Sequence, residues 1–157
     1  MRKIYQNYLI VLLTFTFLLS SCSSDDGIST KSIEGHWIYV DTKAEVYMTD
    51  PSLQVIVKDY IENRYRSYQV SYEFKNDKTY YYYLNYAEPI KGIYKMIDKD
   101  FSKMDDQRGV RNVVRESNSI FVISDMKEEV VRELNIDENK IIKATATDSF
   151  ERGLHSN

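Results

Sequence analysis

Between residues 67 and 86 the sequence alternates with a period of two, and this pattern constrains the fold more than any other. Apolar or aromatic residues occupy every second position on both sides of the short polar segment 76–78. Such alternation is typical of two β-strands that each bury one face. A three-residue loop at 76–78 keeps these residues on a single face, whereas a two-residue loop does not. It predicts these pairs: Phe74 with Tyr80, Tyr72 with Tyr82, Val70 with Leu84, and Tyr68 with Tyr86.

The alternation continues beyond a second turn at residues 87–89. It predicts a further set of pairs: Tyr86 with Ile90, Leu84 with Gly92, Tyr82 with Tyr94, and Tyr80 with Met96. The charged segment 98–107 is interpreted as a loop. Val110 and Val114 then share a face of the next strand. Three more strands are predicted at residues 120–123, 130–136 and 141–147, with a turn at 137–139 before the last.

The segment that precedes these strands combines a strand with a helix. Residues 33–40 form the first strand, and their apolar positions change from odd to even near Asp41, which predicts a bulge. Asp50 and Pro51 are typical of a helix N-cap and first turn. Helical spacing then predicts one helix over residues 51–64, with this apolar face: Leu53, Ile56, Val57, Tyr60 and Ile61.

Eight strands in sequence order, joined mostly by short turns, indicate an all-β fold. An up-and-down antiparallel meander of this size closes into a barrel whose interior holds side chains or one small ligand. The composition agrees, because 14 Tyr against 5 Gly and 2 Pro favours strands. The sequence therefore predicts an eight-stranded barrel with one helix inserted after the first strand.

Aromatic residues dominate the predicted inner face of this barrel. They are the candidate ligand-binding residues: Trp37, Tyr68, Tyr72, Tyr80, Tyr82, Tyr86 and Tyr94. In one interpretation the phenol groups line a pocket for an amphiphilic or ring-bearing ligand. In the other they fill a solid core, and their hydroxyls bond to one another, to the backbone and to buried water.

Other chemistry finds little support in the sequence. Neither His36 nor His155 lies near a suitably spaced nucleophile, so we expect no catalytic site and no enzyme activity. The aspartates of segment 98–107 lack the Gly and terminal Glu of a calcium-binding loop, and we expect no metal and no cofactor. Arg108 shares the face of Val110 and has two interpretations: a ligand for a carboxylate at one barrel end, or a solvated side chain there.

The N-terminal segment has the features of an export signal. Arg2 and Lys3 precede an apolar run at residues 9–19, shorter than the roughly 20 residues that a membrane span needs. The residues Leu19-Ser20-Ser21-Cys22 resemble the lipobox of bacterial lipoproteins. That resemblance implies cleavage before Cys22 and lipidation of its thiol. The chain contains 1 Cys, which excludes an internal disulfide.

These features divide the chain into four expected parts: a signal peptide at 1–21, a lipidated flexible tether at 22–32, the barrel domain at 33–149 and a short C-terminal tail at 150–157. Removal of Arg2 and Lys3 takes away two positive charges, from −3 to −5. A negative net charge argues against nucleic-acid binding. We expect a location in the cell envelope, at the outer membrane. Asp25 and Asp26 resemble a surface-export signal, and a plain linker is the alternative.

Three short motifs resemble the lipocalin-like domains of small bacterial lipoproteins. Gly35 and Trp37 match the Gly-x-Trp of the lipocalin first strand, residues 72–80 are similar to the second hairpin, and residues 92–94 are similar to the Gly-x-Tyr of the fourth strand. The resemblance covers residues 33–147. Lys78 stands where the family's hairpin usually has Gly, although a positive φ is less favourable for Lys.

The resemblance carries expectations about packing and function. It implies that Arg152 packs over Trp37, as an arginine near the end of the barrel does in lipocalins. It also implies a non-catalytic module that binds or carries a small amphiphilic or aromatic ligand. The alternative is a solid barrel that binds another envelope protein, as an assembly partner or an inhibitor. Both interpretations keep the membrane anchor on Cys22.

Overall fold

The computed structural model describes residues 32–153, and the lipidation motif at Cys22 lies outside them. Its strands are β1 (Gly35–Met48), β2 (Val70–Phe74), β3 (Thr79–Leu84), β4 (Ile90–Met96), β5 (Phe101–Asp106), β6 (Gly109–Glu116), β7 (Ser119–Asp125) and β8 (Ile141–Arg152). Each strand pairs antiparallel with the next, and β8 pairs with β1 to close the barrel. The predicted fold class is confirmed.

The strand directions give the barrel two distinct ends. At the Trp37 end, β1 begins at Gly35 opposite Phe74, and β8 ends at Arg152. At the helix end, α1 (Pro51–Asn63) connects β1 to β2. There also, α2 (Lys127–Leu134) and a short 3₁₀ helix (Glu138–Lys140) connect β7 to β8. Among the described residues, no helix is long and apolar enough to cross a membrane.

The bulge predicted in β1 is confirmed. The register between β1 and β8 shifts between Tyr39 and Asp41. Trp37 faces inward before the shift, and Thr42 and Val46 face inward after it, so the buried positions change from odd to even. One extra residue therefore lets a single long strand keep its apolar side on the core over its full length.

The hairpin of β2 and β3 has the predicted register over its ordered length. Phe74 lies opposite Tyr80, and Val70 lies opposite Leu84. Lys78 adopts a φ of 66°, the left-handed conformation that the three-residue loop demands. The strands end before the last predicted pair is reached. Tyr68 and Tyr86 lie outside the strands, 49% and 97% exposed, so their predicted inward position is wrong.

The predicted register of β3 with β4 is wrong. Tyr82 lies opposite Ile90, and Tyr80 lies opposite Gly92. The chain leaves β3 early because Asn85 adopts a φ of 52° and its backbone N–H donates to the Gln69 carbonyl at 2.8 Å. The offset from the expected pairs is an even number of residues. A shift of that kind leaves every side chain on its predicted face.

Two elements in the second half differ from prediction. Residues 98–107 are not a loop, because Phe101–Asp106 is strand β5. Residues 130–136 are not a strand, because Lys127–Leu134 is helix α2, which ends where Asn135 adopts the left-handed conformation. Glu128 and Glu129 in the first turn of α2 favour the helix, since acidic side chains stabilise a helix N-terminus. The two errors offset each other in the count of strands.

The face of β6 that meets the core carries charge. Val110 and Val114 do share a face, but it is the outer one, and Val110 is 63% exposed. Arg111, Val113 and Arg115 face inward and are buried. Alternation alone places residues on a common face, and only the pairing with β5 and β7 decides which face is inside.

The first helix begins as predicted and ends one residue earlier. The Asp50 side chain accepts the Ser52 N–H at 3.0 Å, as an N-cap does. Val57 and Ile61 are fully buried, in a cluster with Val130 of α2. Ile56, on the predicted apolar face, is 54% exposed. The two helices thus cover the extended β1–β8 ribbon at the helix end.

Strand β8 extends to Arg152, so residues 150–152 belong to the barrel rather than to a tail. The Arg152 guanidinium carbon lies 4.7 Å from the Trp37 ring centroid. Its Nη2 donates to the Ser32 carbonyl at 2.6 Å. The packing of Arg152 over Trp37 is confirmed, and it covers the Trp37 end of the core.

Replacement of Arg152 by Ala should destabilise the protein. The variant loses the cation–π contact with Trp37 and the hydrogen bond to Ser32, so we expect a loss of about 1–2 kcal/mol. Chemical denaturation followed by tryptophan fluorescence measures it. Arg132→Ala is the control, because its side chain is 68% exposed and the change should stay within about 0.5 kcal/mol. Equal midpoints for both variants would contradict a role for Arg152.

Candidate functional site in the barrel interior

Five of the seven predicted ligand-binding residues come together inside the barrel. They are each 4% exposed or less: Trp37, Tyr72, Tyr80, Tyr82 and Tyr94. Tyr68 and Tyr86 stay outside, near the helix end, where residues 67–69 meet the β3–β4 turn. The interior is therefore aromatic, as expected, but it is built from fewer tyrosines.

Tyr72 lies at the centre of a packed group of rings. Its ring centroid lies 5.1 Å from that of Tyr82, 5.8 Å from Tyr80 and 5.0 Å from Phe150. The ring of Phe74 is 5.9 Å away. Contacts at these distances are those of aromatic pairs in protein cores. This part of the interior is filled by side chains.

Two of the buried phenol groups donate hydrogen bonds within the protein. Tyr94 donates to the Lys75 carbonyl at 2.7 Å. Tyr80 donates to Asp106 Oδ2 at 2.7 Å. These bonds are those that the filled-core interpretation requires.

Gly92 allows Tyr80 to reach Asp106. A Cβ atom at Gly92 would lie 2.5 Å from the Tyr80 Cζ atom, closer than any real contact. The absence of a side chain on β4 therefore lets the Tyr80 ring cross that strand from β3 and place its hydroxyl against β5. Packing against Tyr80 therefore explains why the first residue of the Gly-x-Tyr motif is glycine.

Asp106 is the junction of a buried ionic cluster. Its side chain is fully buried, and Oδ2 lies 2.6 Å from Arg108 Nη2 and 2.7 Å from Arg111 Nη2. Burial by itself would raise the pKa of Asp106. Hydrogen bonds from Arg108 and Tyr80, together with the charge of Arg111, outweigh it and hold the pKa well below its usual range. Asp106 is therefore a carboxylate that binds three donors, one from β3, one from β6 and one from the turn between β5 and β6.

Arg108 is held against the aromatic rings. Its guanidinium carbon lies 3.6 Å from the Tyr82 ring centroid and 5.9 Å from that of Tyr72. Its side chain is 23% exposed, so the interpretation as a solvated arginine does not hold. Arg108 lies in the turn between β5 and β6, at one end of the barrel. The other interpretation, that Arg108 binds a ligand carboxylate there, stays a prediction.

A second ionic pair lies on the opposite wall. Arg64, just after α1, contacts Asp148 of β8 at 2.5 Å. Thr42 donates to the other Asp148 oxygen at 2.6 Å, and Tyr39 lies 2.9 Å from the Thr42 hydroxyl. Burial raises the pKa of Asp148, and Arg64 and Thr42 counteract only part of that rise. Both oxygens of Asp148 are thus occupied by protein donors.

Two buried guanidinium nitrogens lack a partner. Among the described residues, no group accepts a hydrogen bond from Arg111 Nε or Arg115 Nε. Both arginines face inward from β6, with side chains 9% and 7% exposed. Arg115 lies toward the Trp37 end, where its Nη2 donates to the Ser117 carbonyl at 3.2 Å. A buried donor without a partner is rare in native structures and calls for an explanation, such as an ordered water or a bound ion.

A pocket of about 320 Å³ opens on the outer face of the barrel, away from these residues. It is lined by His36, Ser71, Glu73 and Tyr83. Tyr83 donates to Glu73 at 3.0 Å, and Lys75 also contacts that carboxylate. None of the residues predicted to bind a ligand lines it.

Metal ligands are not assembled in the described part of the chain. There, no three His, Cys, Asp or Glu side chains are placed to hold a metal ion. His155, one of the two histidines, lies outside the described residues. Asp98 instead accepts the backbone N–H groups of Asp100 and Phe101, both at 2.8 Å, and so caps the β4–β5 turn.

Sequence reasoning missed most of the charged residues inside. Asp148 lies two positions after Ala146 and two before Phe150, on the buried face of β8. An acidic residue in step with an apolar set signals an inward charge, and this signal was present in the sequence. Asp106 was missed because its segment was interpreted as a loop, and Arg111 because the outer valines of β6 were the more visible pattern.

Comparison with protein-family models, with curated proteins and with solved structures found no match to this chain. The chemistry of the barrel interior is therefore what bears on function.

Acid sensitivity should depend on Asp106. Its pKa is lower in the folded protein than the value of about 3.9 in an unfolded chain, so its contribution to stability is complete above about pH 4 and is lost as the pH falls further. Asp106→Asn should cost about 3–5 kcal/mol at neutral pH, because two buried arginines lose a partner. Thermal unfolding at about pH 6 and about pH 3 measures the loss of stability on acidification. This loss should be smaller in Asp106→Asn than in the parent protein.

Asp148→Asn is the matched control, because the pKa of Asp148 is shifted in the opposite direction. A carboxyl whose pKa is raised on folding gains stability as the pH falls, so this variant should show an acid-induced drop at least as large as that of the parent. If Asp106→Asn and the parent lose the same stability between the two pH values, the ionised state of Asp106 does not stabilise the fold.

Proposed function

We propose that this chain is a lipid-anchored protein of the bacterial cell envelope whose barrel binds a small amphiphilic or aromatic ligand without catalysis. The observation that carries the proposal is the buried charge that adjoins the aromatic rings inside the barrel. The guanidinium group of Arg108 lies over the Tyr82 ring, and it shares the Asp106 carboxylate with Arg111. Aromatic rings favour contact with an apolar part of a ligand, and the charges beside them favour a polar head group.

The anchor is proposed from the sequence. Cys22 at the end of the lipobox-like motif would carry the lipid, and residues 22–32 would form the tether to the barrel. Two acyl chains are enough for stable attachment to a membrane. The same lipobox-like motif is our basis for proposing a location at the outer membrane.

The rim at the helix end supports ligand entry from that side. Tyr68 and Tyr86 were expected inside the barrel but are exposed. Their two chain segments are neighbours, because the Gln69 carbonyl accepts a hydrogen bond from the Asn85 backbone N–H. Tyrosine is suited to such a place, since its ring contacts apolar groups while its hydroxyl stays in water. These two residues would meet the ligand at the rim rather than in the core.

A second candidate function rests on the outer surface. Ile38 and Val40 of β1 are 48% and 52% exposed, and Ile38 lies opposite Ser71 of the outer pocket. A barrel whose core is filled could use this apolar surface to bind another envelope protein. That function needs no ligand inside.

Native mass spectrometry of the protein, purified from its own envelope in a neutral detergent, distinguishes the two functions. We expect a small molecule to co-purify in a one-to-one complex. A stoichiometric protein partner in the absence of any small molecule would instead support the second function and contradict ligand carriage.

Replacement of Cys22 by Ala should release the protein from membranes. Without the thiol no lipid can be attached, and the apolar run at residues 9–19 is too short to replace the anchor. Fractionation of cells after a high-salt wash measures the distribution. Ser24→Ala is the control and should remain in the membrane fraction. Continued membrane association of the Cys22→Ala protein would refute the lipoprotein assignment.

A further inference from the structure

The cluster around Asp106 holds more positive than negative charge. One buried carboxylate faces two guanidinium groups, those of Arg108 and Arg111. The other buried acid, Asp148, interacts electrostatically with Arg111, but both of its oxygens are bound by Arg64 and Thr42. Uncompensated charge is unfavourable in a protein interior, so this cluster favours an additional anion.

The tyrosines nearby do not supply that anion. Burial raises the pKa of Tyr72 to about 12, even though Arg111 and Arg108 act in the opposite direction. Burial also raises the pKa of Tyr80 and Tyr82. All three phenols are therefore neutral at physiological pH, and they offer hydroxyl groups rather than negative charge.

Arg111 has a free donor in the same place. The Arg111 side chain is 9% exposed and faces inward. Its Nη2 binds Asp106 and lies 3.2 Å from the Tyr80 hydroxyl. Its Nε has no partner among the described residues. An arginine presents its donors in a planar fork that matches the oxygens of a carboxylate or phosphate. One side of this fork is used, and the Nε side is available.

We infer that Arg111 and Arg108 bind the negatively charged head group of the ligand, a carboxylate or a phosphate, inside the helix-end half of the barrel. This inference rests on the proposed carriage of an amphiphile and specifies its chemical class. Arg111 would donate from Nε, while Arg108, held over the Tyr82 ring, would add the second positive charge. Asp106 would keep both guanidinium groups in position.

Arg115 provides a matched comparison on the same strand. It also faces inward, with an Nε that lacks a partner among the described residues. It lies toward the Trp37 end, near Asp100 at 3.9 Å and the Ser117 carbonyl, and it has no part in the Asp106 cluster. Its removal should therefore leave head-group binding unchanged.

The test compares ligands that differ only in charge. Isothermal titration calorimetry of the full-length protein in a neutral detergent, at about pH 7.5, would use decanoate, its neutral analogue decanamide, and decyl phosphate. We expect at least one of the two anions to bind about tenfold more tightly than decanamide, the ratio typical of one charge-assisted contact. The tighter anion identifies the head group as carboxylate or phosphate.

Variants then locate the effect. Arg111→Gln should reduce the preference for the anion to less than about threefold, Arg111→Lys should restore part of it, and Arg115→Gln should retain it in full. Circular dichroism verifies that each variant is folded. If Arg111→Gln does not fold, the inference is tested by Arg108→Gln and by the ratio of anion to decanamide affinity in the parent protein.

Each contrary result has its own meaning. Equal affinity for the anions and decanamide would overturn the inference and leave ligand carriage intact. Failure of all three amphiphiles to bind would overturn the proposed function itself. If acetate or inorganic phosphate raises the melting temperature through Arg111 while no amphiphile binds, the site takes a free anion, and the inference about the ligand is also overturned.

Discussion

The pairing of β1 with β8 is the constraint on which the rest of this structure depends. It runs from Trp37 opposite Arg152 to Met48 opposite Ile141 and turns an open meander into a barrel. Closure removes the free edges of the sheet, and it also takes every inward side chain out of water. A charge on that face must then find its partner inside the barrel. The ionic clusters and the packing of Arg152 over Trp37 both follow from this requirement.

Within the closed barrel, the core and the candidate site share the same residues. The bare backbone at Gly92 lets Tyr80 cross β4, and the Tyr80 hydroxyl then binds Asp106 on β5. Asp106 in turn orients Arg108 and Arg111. The guanidinium groups are therefore held by the packing that stabilises the fold, and such preorganisation lowers the entropy cost of binding.

The tyrosine-rich interior differs between the two ends of the barrel. Toward the Trp37 end the ring of Tyr72 packs against those of Phe74 and Phe150, and this part of the core is filled. Toward the helix end the aromatic surface adjoins the ionic cluster of Asp106, Arg108 and Arg111. Part of this site could be read from the sequence, since Tyr72, Tyr80 and Tyr82 were placed inside by alternation. The acidic and basic residues that complete it could not, because their strands were misassigned or their inner face was not known.

The sequence by itself determined the features that depend on neighbouring residues. They include the barrel class, the β2–β3 register with its left-handed Lys78, and the start of α1 at its Asp50 cap. Only the tertiary structure decided that residues 101–106 form a strand, that residues 127–134 form a helix, and how β3 pairs with β4. The physical reason is that alternation states which residues share a face of a strand. Which face is buried, and opposite which partner, is settled only when the barrel closes.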